Sequence, residues 1–102
     1  MARAKVIEFS QDEQVGAKVG FSLGHPARIR ILKLLQEYPV VSFGQIQRQV
    51  PLSDGAICQH LRILDRSDLI ESAYLDNGAI GYRLREVARR EAFELLVGVL
   101  AA

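Results

Sequence analysis

The 102-residue chain carries 49% hydrophobic and 25% charged residues and a net charge of +1, an ordinary globular mix that excludes a disordered tail and a nonspecific polycation. Its apolar runs are only a few residues long, which excludes a membrane-spanning helix and a secretory leader. The single cysteine, Cys58, excludes an internal disulfide framework and, with no membrane partner expected, fits a reducing cytoplasm. The length suits one domain over residues 1–102. Charge is uneven, with ten basic and seven acidic side chains in residues 21–90, so the basic part of the chain is its middle.

Ser10-Gln-Asp-Glu13 is a serine followed three residues later by a glutamate. This capping-box pattern opens a first helix over 10–23. Its patterning is weak, with Val15 and Val19 on one side and Gly16 and Gly20 on the other. Pro26 suits the first position of a second helix, where its missing N–H would have been an orphan. Ala27, Ile31, Leu34 and Leu35 then make one buried stripe, Arg30, Lys33 and Gln36 lie opposite, and Tyr38-Pro39 stops the helix. His25 is expected to cap this helix and Arg28 to make a structural ion pair. Ser42-Phe-Gly-Gln45 is a second capping box, with Phe43, Ile46 and Val50 as the apolar positions of a third helix. The turn Pro51-Leu52-Ser53 leads into a fourth, where Ser53 is a good N-cap and Asp54 suits the positive helix terminus.

In the fourth helix Ile57, Leu61 and Leu64 fall on one face, while Gly55, Gln59, Arg62 and Arg66 recur on the other with Cys58 beside them. Residues 70–85 change to a strand period. Ile80, Tyr82 and Leu84 alternate with Gly81, Arg83 and Arg85, the pattern of a half-buried strand. Asp76-Asn77-Gly78 tolerates the positive φ of a hairpin turn, so Ile70–Leu75 is expected to pair with Ile80–Arg85. The last helix, 86–100, has two apolar stripes: Phe93, Leu96, Val97 and Leu100, and roughly opposite them Ala88, Ala92, Leu95 and Val99. A small domain covers one such stripe. The other needs a partner, and an identical chain is the simplest.

Two short helices joined by a tight turn, followed by a hairpin bearing arginines, read as a winged helix-turn-helix: mainly α with a small β-hairpin. The helix-turn-helix spans 42–66 and the wing 70–85. A helix about ten Å across fits the major groove of double-stranded DNA. There Gln59 can pair bidentately with adenine, while Arg62 and Arg66 serve phosphates or guanine. Arg83 and Arg85 either bring charge to phosphates or remain solvated strand residues that guard an edge.

The segments Leu23-Gly-His-Pro-Ala-Arg-Ile-Arg-Ile-Leu32, Gln45 to Leu64, Asp68-Leu-Ile-Glu71 and the wing to Tyr82-Arg83 together resemble the ArsR/SmtB family of bacterial winged-helix repressors, over roughly residues 20–85. The resemblance implies a homodimer that binds a dyad-symmetric operator and represses transcription until a signal lowers its affinity. It places the first and last helices in the dimer interface, which would then include Val15, Val19, Phe93, Leu96, Val97 and Leu100. It also implies that Ser53, Asp54, Gly55, Ala56, Cys58, Gln59 and His60 meet DNA, beside Arg62, Arg66, Arg83 and Arg85. Several members carry a hydroxyl at the places of Gly55, Ala56 and Cys58, so readout here leans more on Gln59. Metal-sensing members place a cysteine pair where this chain has Ser42 and Gly44, or use histidines in a last helix that here has none. No metal and no cofactor are expected, and the effector stays open.

Blander roles stand beside these. Cys58 is either a small, adaptable side chain or a redox switch. His60 is either a partly buried, hydrogen-bonded histidine or a phosphate contact. The near-neutral charge and hydroxyl-poor fourth helix also suit a winged-helix module that binds protein without specific DNA binding. An enzyme is not expected, since the chain lacks a nucleophile–base pair at useful spacing, a phosphate-cradling glycine loop and a metal quartet.

Overall fold

Residues 8–101, the part described by the computed structural model, form α1 (Gln11–Ser22), α2 (Pro26–Glu37), β1 (Val41–Ser42), α3 (Phe43–Gln49), α4 (Asp54–Arg66), β2 (Ile70–Tyr74), β3 (Ile80–Leu84) and α5 (Glu86–Leu100). Both capping boxes form. Ser10 Oγ accepts from the Glu13 N–H at 3.1 Å while Glu13 accepts from the Ser10 N–H at 2.8 Å, and Ser42 and Gln45 repeat the exchange at 3.1 and 2.8 Å. His25 caps α2, its Nδ1 accepting from the Ala27 N–H at 3.0 Å. These local bonds satisfy N–H groups that a helix start leaves without partners.

The core lies where α2, α3 and α4 meet the sheet. Ile31, Ile46, Ile57, Leu64, Ile70, Val41 and Val50 are fully buried there. The stripes read for α2 and α4 are those that face inward, apart from Leu34, which is only partly buried.

The sheet departs from the two-stranded wing expected. It has three strands in the order β1-β3-β2, all antiparallel. The additional β1 pairs Val41 with Tyr82 and Ser42 with Gly81. This pairing also inverts part of the burial expected for β3. Gly81 is buried and Ile80 is exposed, because the β1 backbone crosses directly over Gly81. The hairpin turn is as read: Gly78 has φ +85, the Leu75 N–H donates to Ala79 O at 2.8 Å, and Asn77 Oδ1 accepts from the Ala79 N–H at 3.0 Å.

Arg28 makes no ion pair among the described residues, contrary to expectation. It is buried, and its guanidinium donates from Nε to Ser22 O at 2.8 Å and from Nη2 to Phe21 O at 3.0 Å. Ser22 O, left over at the end of α1, thus finds a donor in α2, and Phe21 O gains a second one beside the Gly24 N–H. Ser22, itself buried, hydrogen-bonds Ser67 at the end of α4, so the two helix ends are joined.

Candidate nucleic-acid interface

The turn before α4 is held at both ends. Ser53 Oγ accepts from the Ala56 N–H at 3.2 Å, and Gln47 Nε2 of α3 donates to Asp54 Oδ1 at 2.8 Å. Burial of Ile57, Leu61 and Leu64 then fixes the rotation of α4. Ser53, Asp54, Gly55, Gln59, Arg62 and Arg66 are exposed as a result, and Ala56 and Cys58 are half-buried. Arg62 Nη1 donates to Gln59 Oε1 at 3.1 Å, so the two long side chains start as a pair. Arg66 has no carboxylate partner among the described residues.

Cys58 lines a hollow between α4 and the wing with Arg62, Asp65, Ser72 and Tyr82. Burial first, then Cys58 and Asp65 nearby, push the Tyr82 phenol above its ordinary value. His60 turns the other way. Its Nδ1 accepts from Arg28 Nη1 at 3.0 Å and its ring lies 4.3 Å from that of His25, centroid to centroid. An acceptor bonded to a guanidinium is a neutral imidazole nitrogen. Accordingly burial, then His25, then Arg28 hold the His60 pKa below its ordinary value of 6.5.

On the wing, Arg83 and Arg85 are exposed and share one carboxylate. Arg83 Nε lies 2.7 Å from Glu71 Oε2, and Arg85 Nε 3.7 Å from Glu71 Oε1. Glu71 was not singled out in the sequence. Its signal was available by counting back through the turn, since Glu71 stands directly opposite Arg83 in the hairpin register.

The residues expected at a dimer interface divide. Phe93 is 65%, Val97 46% and Leu100 79% exposed, and Val15 is exposed on α1. Val19, by contrast, is 4% exposed within the single chain, and Leu96 packs partly on the core. The reason is the way α1 meets α5: Ala92 of α5 is buried and Leu95 lies close to Gly16, so α1 turns its Val19 edge inward. Phe9, Phe21 and Val99 extend the exposed apolar set.

No group of three or more His, Cys, Asp or Glu among the described residues is placed to hold a metal ion, and no described helix is long and apolar enough to cross a membrane.

Residues 25–72 match the family model described as "Bacterial regulatory protein, arsR family". A helix-turn-helix transcriptional regulator of Methanocaldococcus jannaschii, MJ0229, is 28% identical over 80 residues, or 78% of this chain and 80% of that protein. Among solved structures, an ArsR-like transcriptional regulator from Rhodococcus sp. RHA1 aligns with a TM-score of 0.74 at 24% identity, covering 88% of this chain and 83% of the other. The transcriptional repressor BigR from Xylella fastidiosa aligns with a TM-score of 0.66 at 24% identity, covering 90% and 92%.

Proposed function

We propose that the chain is a member of the arsR family of bacterial regulatory proteins, whose model matches residues 25–72, and that it is a DNA-binding transcriptional regulator, a homodimeric repressor acting in the cytoplasm on an operator with dyad symmetry. The match of a transcriptional regulator over 78% of the chain and the shared winged-helix fold support this reading over an enzyme. The observation that carries the reading is the division of α4, with its apolar face locked in the core and Gln59, Arg62 and Arg66 left outward beside a wing that carries Arg83 and Arg85. A helix presented in this way offers its first turns to base edges and its cations to phosphates.

In this reading the helix-turn-helix of 42–66 reads the half-site and the wing of 70–85 grips the adjoining backbone. Gln59 supplies the bidentate readout, and Ser53, Asp54, Gly55, Ala56 and Cys58 line the approach to it. His60 acts behind the surface, through Arg28. The helices of 10–23 and 86–100 join two copies through Val15, Phe93, Val97 and Leu100, since an exposed apolar set of this extent on a water-soluble regulator calls for a partner.

The test is fluorescence anisotropy with DNA from upstream of the protein's own gene, against a scrambled duplex of equal length. Wild-type protein binds the upstream DNA specifically. Gln59→Ala removes the preference, whereas Arg83→Ala weakens binding to both duplexes alike. Sequence-indifferent binding by the wild type, vanishing at moderate salt, would overturn the reading and favour a protein-binding winged helix.

A further inference from the structure

Apart from the wing and α4, the described residues form a basic cleft of about 350 Å³ between α2 and α3. Arg30 and Lys33 of α2 and Arg48 of α3 line it, with Gln45, Gln49 and a single carboxylate, Glu37. The three cations are exposed, and none has a carboxylate within 4.0 Å among the described residues, Glu37 included. Arg83 and Arg85 of the wing and Arg89 of α5 behave otherwise, each lying within 4.0 Å of a carboxylate, whereas Arg90 of α5 is unpaired among the described residues but stands alone beside a paired arginine. Unpaired cations gathered on two helices repel one another and persist only in water or against an anion.

The position of the cleft says which anion. Arg30 Nη1 donates to Gln49 O at 3.0 Å, and Arg30 also borders the turn residues Pro51 and Leu52 that lead into α4. The wing borders α4 farther along, at Cys58, Arg62 and Asp65. The cleft therefore adjoins the opposite end of the recognition helix. When the second helix of a helix-turn-helix lies in the major groove, the first crosses the sugar–phosphate backbone. In this chain the first helix is α3, and Arg48 is on its exposed side.

We infer that the α2–α3 cleft is a second phosphate-binding surface, in which Arg30, Lys33 and Arg48 hold backbone phosphates of DNA outside the base pairs met by α4. This rests on the reading of α4 as the helix in the major groove. Phosphates held here carry no sequence information. They set register and raise affinity for any sequence, and they make binding more sensitive to salt.

The experiment is the salt dependence of affinity for the upstream duplex, with Lys33→Ala and Arg48→Ala as the variants. Both side chains are exposed and neither holds the fold, and circular dichroism checks that the helices remain. Each phosphate contact contributes roughly 0.9 to the slope of log affinity against log salt, so each substitution lowers a dimer's slope by about 1.8. The matching loss is about sixtyfold at 0.1 M salt, shrinking as salt rises. The preference for the upstream duplex over the scrambled one is unchanged, and Arg89→Gln, which removes an already paired arginine, leaves the slope as it was. A wild-type slope in both variants, with wild-type specificity intact, overturns the cleft while sparing the function proposed above. Loss of preference in the variants also overturns it, because the cleft would then meet bases. NMR shifts at Lys33 and Arg48 on adding inorganic phosphate, alongside an unchanged DNA slope, would assign the cleft to a free anion and overturn it too. Absence of specific binding by the wild type instead brings down the reading on which the inference stands.

Discussion

Arg28 distributes one guanidinium among three acceptors, two carbonyls at the end of α1 and His60 Nδ1 on α4. It also lies 5.5 Å from the centroid of the Phe21 ring. Buried bonds from a charged donor are worth more than neutral ones, and removing the donor strands Ser22 O and His60 Nδ1, while Phe21 O keeps the Gly24 N–H. Arg28→Met should therefore lose about 3 kcal/mol in urea denaturation. Lysine should not restore it, since a point charge cannot reproduce the fork. His60 adds a pH dependence of definite sign. Its folded pKa lies below the ordinary 6.5, so the unfolded chain takes up the proton first. The stability it contributes is complete above pH 6.5 and is lost as pH falls from there towards the folded value. Denaturation midpoints should drop between pH 7 and 5 in the wild type, and that part of the drop should vanish in His60→Gln. An equal drop in both proteins would remove His60 from the account.

At the level of the elements, two glycines give the same substitution opposite signs. A Cβ on Gly81 would meet Val41 O at 2.6 Å and Val40 Cγ1 at 2.9 Å, whereas one on Gly55 meets nothing within 4 Å. Gly81→Ala should force β1 off β3 and cost about 1–3 kcal/mol. Gly55→Ala should instead gain about 0.5 kcal/mol from reduced backbone freedom in the unfolded chain. Thermal unfolding of the two variants separates the cases. This pair also explains what could be read from the residues and what could not. Capping boxes, the Asn77-Gly78 turn and the two faces of α4 are local patterns, complete within a dozen residues, and each was legible. β1 is two residues long between Pro39 and a helix cap, too short to show a period, and its partner lies some 40 residues on. The burial of Gly81 follows from that pairing and was hidden with it. The Arg28–His60 bond likewise joins residues 32 apart. The outward face of α4 was therefore visible from spacing, and the carboxylate opposite Arg83 could have been found by counting back through the turn, whereas the side chains that brace α4 from behind required the folded chain.

For the whole molecule, the radius of gyration of 16.0 Å exceeds the roughly 13 Å of a compact chain this long. The extents of 55 × 31 × 24 Å have the same cause: α1 and α5 pack on each other with little of the core behind them, leaving Phe93 and Leu100 exposed. On the proposed reading this arm is half of an interface. Phe93→Glu should give a monomer in sedimentation equilibrium with the helix content unchanged, and DNA affinity should fall at least tenfold as two half-sites cease to be held together. A dimer that persists in Phe93→Glu would move the interface elsewhere.

The single carboxylate shared by Arg83 and Arg85 bears on timing. Beyond a Debye length of about 10 Å at 0.1 M salt, Asp76 at the turn offsets the first of the two arginine charges and Glu71 the second, so the wing is neutral and adds little to the pull that draws a duplex in from solution. The second charge becomes available only when a phosphate arrives close enough to displace Glu71. In the proposed complex the wing therefore acts on how long the protein stays, while capture is left to the unpaired cations of α4 and the α2–α3 cleft. Neutralising Glu71 would shift part of the wing's influence from residence time to the rate of encounter.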